Sequence, residues 1–104
     1  MPGISRCNVD TAGSTIIGPG ASNVFVNGNK TVLIGDSVKP HLPSPSPHSK
    51  APKMVTASST VFANGKPVVR SGDLASCSHS ATGSSNVYAG WYLVAVVIII
   101  INFI

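Results

Sequence analysis

Four side chains that bind metals well lie in two loop-like stretches of this 104-residue chain: His41 and His48 in the first, Cys77 and His79 in the second. They are all of its histidines and one of its two cysteines. A thiolate with three imidazoles makes a four-member set suited to tetrahedral zinc, and with every position taken by protein such a site is structural rather than catalytic. Cys77-Ser78-His79 is a tight pair. The gap from His41 to His48 carries Pro43, Pro45 and Pro47, which stiffen the loop and limit the entropy lost when it closes on an ion. Cys7 stands in reserve should His48 or His79 point away. A Cys7–Cys77 disulfide is the weaker reading: Met1-Pro2-Gly3-Ile4-Ser5-Arg6 has no apolar signal region, so synthesis in a reducing cytoplasm is expected.

Other chemistries find little to stand on. No glutamate is present, and the three acids are Asp10, Asp36 and Asp73. Paired-carboxylate catalysis would need two of these, and there is no nucleophile elbow, phosphate loop or His-Glu-x-x-His; the chain is read as not an enzyme. The net charge of +4 comes from scattered lysines and arginines without interleaved aromatics, so nucleic acid is not an expected partner.

The elements that must position the metal ligands show as a repeat. Ala21-Ser-Asn-Val-Phe-Val-Asn-Gly28, Ser58-Ser-Thr-Val-Phe-Ala-Asn-Gly65 and Ser84-Ser-Asn-Val-Tyr-Ala-Gly90 share a small-residue start and a Val-aromatic pair. Before each comes a segment ending in aspartate: Ile4 to Asp10, Lys30 to Asp36 and Pro67 to Asp73. From aspartate to the residue before Val-aromatic the first and third units both span 13 positions, and the middle unit holds an insertion. Val and Ala alternate with the aromatic, as in a half-buried strand, and Asn27-Gly28 and Asn64-Gly65 are hairpin turns, since both residues tolerate positive φ. A lone hairpin cannot bury its face. Three of them must converge on a shared pseudo-threefold axis, with the intervening loops, and hence the metal ligands, gathered at one end. The aspartates, each after a strand, are expected to cap turns through backbone N–H groups.

Composition agrees with an all-β chain. Ser (15), Gly (10) and Pro (8) replace the Glu, Lys, Ala and Leu of long amphipathic helices, which excludes a helical bundle or coiled coil. Only 10% of residues are charged. Of 45 apolar residues, 13 fall in the last 14 positions, 91–104, leaving a body able to bury only a modest core and in need of a metal or partner.

These residues resemble the PAAR-repeat family, named for a Pro-Ala-Ala-Arg tetrapeptide followed by Gly-Asp. Pro67-Val68-Val69-Arg70-Ser71-Gly72-Asp73 is the nearest copy, flanked by Asn64-Gly65-Lys66 and the repeated Val-aromatic segments, and the resemblance covers residues 2 to 90. In the first unit Cys7 stands three before the aspartate in place of arginine, and Lys30-Thr31-Val32-Leu33 replaces the tetrapeptide in the second. The resemblance implies three β-hairpins in a pseudo-threefold cone with zinc near its apex. It also implies a membrane-piercing tip that caps the trimeric β-helical spike of a contractile phage tail or type VI secretion machine. One copy would sit on each trimer, made in the bacterial cytoplasm, assembled at the spike tip and meeting a target envelope only transiently. The first loop, Thr11-Ala12-Gly13-Ser14, lacks the histidine that many members carry there.

Two regions are therefore expected, a cone over 1–90 and an apolar tail over 91–104. Eight of the tail's 14 residues are Val or Ile, which favours a strand packed on the body or spike. The alternative is a small zinc protein held to a membrane by that tail; a helix of 14 residues would span about 21 Å, short of a hydrocarbon core of about 30 Å.

Overall fold

Alternation and turn chemistry act locally as expected. In the computed structural model, which describes residues 2–41 and 52–89, the strands are β1 (Ile16–Gly18), β2 (Phe25–Val26), β3 (Asn29–Lys30), β4 (Ser37–Val38), β5 (Phe62–Ala63) and β6 (Lys66–Pro67). No described residue is helical. β2 pairs antiparallel with β3 and β5 with β6, through two-residue turns with φ of 52° at both Asn27 and Asn64 and positive φ at the glycine that follows each. Left-handed conformation at both turn positions matches the twist of the flanking strands. Val24, Val61 and Val87 turn inward, while Phe62 is 53% exposed on the outer side.

The third hairpin has no turn. Tyr88 pairs with Gly3, Ile4 N–H donates to Val87 C=O (2.8 Å) and Ala89 N–H to Pro2 C=O (3.0 Å), so the two ends of the described chain close the figure. Residues 90–104, the tail included, lie outside the described residues.

What holds the three units together is a closed ring on the axis. Ser5 N–H donates to Val69 C=O (2.9 Å), Val69 N–H to Val32 C=O (2.9 Å) and Val32 N–H to Ser5 C=O (3.0 Å). The flanking bridges repeat the cycle: Arg6 with Thr31, Leu33 with Val68, Arg70 with Ile4. Each unit thereby lends one edge to the next, and the central backbone groups, which no water can reach, are all paired. Ser5, Val32 and Val69 are fully buried.

Side chains stack on this ring in two clusters. Toward the Asn-Gly turns lie Val24, Val61 and Val87, with Val26, Ala63, Ala89 and their neighbours. Toward the loops lie Ile16, Met54 and Ala81, then Ala12, Val38 and Ala75. The side chains of the second set nearest the loops are the smaller ones, and we call that end the apex.

One position breaks the apolar pattern. Thr31 corresponds by its bridges to Ile4 and Val68, is fully buried, and its Oγ1 has no hydrogen-bond partner. An unpaired buried hydroxyl costs about 1–3 kcal/mol. Thr31→Val should therefore stabilise the protein by about 1 kcal/mol and raise the thermal midpoint by about 4–8 °C; an unchanged or lowered midpoint in calorimetry would show that the hydroxyl is satisfied.

Candidate metal centre

The three apex loops have equivalent starts and different lengths. In each, an inward residue donates its N–H across the loop: Ala12 to Ser14 C=O (2.9 Å), Val38 to Pro52 C=O (2.7 Å) and Ala75 to His79 C=O (3.0 Å). Gly13 alone fills the first loop, residues 39–51 the second, and Ser76, Cys77 and Ser78 the third. In the third loop Ser78 has φ of 71° and donates to Ala75 C=O (2.9 Å), a tight reversal that sets Cys77 and His79 side by side.

The structure brings His41, Cys77 and His79 together, with one ligand atom of each within 4.8 Å of the others. His41 Nε2 lies 3.0 Å from His79 Nδ1, and Cys77 Sγ lies 3.7 Å from the first and 3.4 Å from the second. Tetrahedral bonding at zinc distances separates two imidazole nitrogens by about 3.3 Å and a sulfur from a nitrogen by about 3.6 Å. All three spacings lie within a few tenths of an ångström of those values, so the spacing of the set is compatible with a shared metal ion. His41 Nδ1 lies 2.9 Å from Lys39 C=O, and donation there turns the Nε2 lone pair toward the other two ligands, as an outer hydrogen bond does for a metal-bound histidine. Cys77 is buried and both imidazoles are half-buried, so the thiol faces the core and the rings the apex.

His48, the fourth predicted ligand, lies outside the described residues. Cys7 does not belong to the cluster. It is buried on the flank, its Sγ against Gly18 and Gly20, where burial and then the charge of Asp36 push its thiol up to about 11, against the pull of Lys30. A thiol so raised stays protonated at neutral pH. The two cysteines form no disulfide.

Below the apex the aspartates cap turns as expected, but the arginine of the first unit is not where a count of three residues back from the aspartate puts it. Arg70 N–H donates to Asp73 (2.8 Å) and its guanidinium adds a 3.1 Å ion pair. In the first unit that role falls to Arg6, four before Asp10, with 2.8 Å from both its N–H and its Nε; Cys7 is simply an extra residue in a longer turn. Thr82 and Thr56 hydroxyls complete the shells of Asp10 (2.8 Å) and Asp73 (3.0 Å), contacts that strand alternation does not reveal because both threonines precede the repeat segments. Burial pushes the Asp10 carboxyl up, yet the bonds from Arg6 and Thr82 outweigh it and hold the group below its usual range. At Asp36 the arginine position is Leu33. Only backbone N–H groups of Leu33 and Gly20, with the more distant charge of Lys66, oppose burial, and its carboxyl stands above the usual range.

A family model of the PAAR motif matches residues 8–82 and again 43–98. The chain belongs to the PAAR-motif family. Two overlapping matches are what a chain made of repeats produces, and together they span Asp10, the Arg70–Asp73 turn and His41, Cys77 and His79 of the cluster. Among curated proteins no relative matches the chain. Membership in the PAAR family implies a structural spike-tip role in contractile injection systems, and the apex cluster is placed to hold a metal ion in such a tip.

Proposed function

We propose that this PAAR chain is the membrane-piercing tip that caps the trimeric β-helical central spike of a contractile phage tail or type VI secretion machine, with one copy on each trimer. The closed hydrogen-bond ring of Ser5, Val32 and Val69 carries this reading, because it gives a single chain the threefold backbone symmetry that a trimer's end presents. The Asn-Gly turn end, opposite the metal cluster, faces the spike. The role is mechanical and needs no catalysis: the apex must survive a transient passage through a bacterial envelope. The chain is made in the bacterial cytoplasm and assembled at the tip, and nucleic acid has no part in it.

A structural zinc held by His41, Cys77, His79 and His48 stiffens the point. When bound, the ion cross-links the second and third loops, which the small apex residues Ala12, Val38 and Ala75 do little to hold together. Residues 91–104 form a separate element that adds contact to the spike beneath, since 13 apolar residues in 14 would aggregate if left exposed. Titration calorimetry with the purified spike should give one chain per three spike protomers, and a 1–90 chain should bind at least tenfold more weakly. Equal affinity for the two chains would refute the role of the tail, and no binding by either would refute the cap.

A further inference from the structure

The first apex loop supplies no ligand, but it is in contact with two of them. A Cβ built on Gly13 would collide with His79 Nδ1 and stand 2.6 Å from His41 Nε2. Those are the two nitrogens aimed at the metal position, and a carbon that near them would stand inside the ligand shell. Gly13 also has φ of 86°, which L side chains rarely adopt. The Ala12 N–H to Ser14 C=O bond reduces this loop to its one glycine, and the full burial of Ala12 anchors it. The three loops start from equivalent positions, so the short one brings bare backbone up to the imidazoles while the long ones bring side chains.

We infer that Gly13 is a positioning residue of the metal centre. Its Cα is the wall against which His41 and His79 are set, and its missing side chain is the space in which the two nitrogens and an ion can share one shell. This inference rests on the reading of the cluster as a zinc site.

Gly35 makes the matching control. It has the same φ of 86°, and nothing lies within 4 Å of a Cβ placed there. Gly13→Ala and Gly35→Ala therefore carry similar backbone strain, and only the first intrudes on the imidazoles. Zinc affinity is read by competition with a chromophoric chelator on the full chain. Wild type and Gly35→Ala should agree within threefold, and Gly13→Ala should bind at least tenfold more weakly. Equal affinity in all three overturns the role of Gly13 while leaving the zinc site standing, whereas a wild-type chain that binds no zinc overturns the zinc reading itself. Should Gly13→Ala fail to fold, the cobalt-loaded wild type still decides: the Gly13 Hα protons should show the largest paramagnetic shifts of any residue outside the ligands, and unshifted protons there would refute the inference.

Discussion

Removing the metal from the purified protein should lower its thermal midpoint by about 20 °C. An ion that binds the folded chain alone stabilises it by about 4 kcal/mol when present at a thousand times its dissociation constant, and in a body of this size each kilocalorie is worth about 4–8 °C. The loss should be local before it is global. Amides of Ala75 and Ser78, bonded within the third loop, should exchange faster after chelation, while those of Ser5, Val32 and Val69 on the axis keep their protection. His41→Ala should reproduce the drop, and adding chelator to that variant should do little more. An equal further drop in the variant would mean that the chelator acts elsewhere.

Asp10→Ala should be the most damaging single change below the apex, costing about 3 kcal/mol in urea unfolding. Its carboxylate is 5% exposed and accepts from the backbone and guanidinium of Arg6 and from Thr82. Truncation leaves a guanidinium only 19% exposed without its counterion, and breaking a buried pair on one side costs about 3–5 kcal/mol; partial exposure of Arg6 sets the lower end. The pH dependence has a definite sign. A carboxyl held below its usual range in the folded chain contributes stability that is present above the ordinary aspartate value, about 3.9, and lost as pH falls through the folded value. Asp36, held above that range, behaves oppositely: its contribution is present at acid pH and lost as pH rises through its folded value, so near neutrality its charge is a net cost. Asp36→Asn, which keeps an oxygen for the Leu33 N–H, should therefore change stability near pH 7 by less than about 1 kcal/mol. A loss there as large as that of Asp10→Ala would show that the two caps are equivalent despite Leu33.

The hairpins and their convergence were legible because they rest on local rules. Val-aromatic alternation and Asn-Gly turns fix pairing within a few residues, and hairpins too short to bury a face alone must share one. The closure of the third hairpin by Gly3 and Tyr88 was not legible, because that pairing joins the two ends of the described chain and leaves no turn residue as a sign. The arginine of the first unit was misplaced for a related reason: counting back from Asp10 assumes turns of equal length, and the turn after Arg6 holds one residue more than the turn after Arg70. Among the candidate ligands, His41, Cys77 and His79 drew notice by residue type. Gly13 did not, since its place in the site depends on a positive φ and on the shortness of its loop, and a glycine in a turn looks the same in sequence whether it faces solvent or two imidazoles.

A threefold cap with a metal-stiffened apex has a composition that can be weighed. Native mass spectrometry of the chain bound to its spike should find one copy of this chain, three of the spike protein and one zinc ion in a single complex, with the zinc retained when the complex is dissociated and lost from His41→Ala. A complex with three copies of this chain on each trimer, or one that carries no metal, would contradict the account.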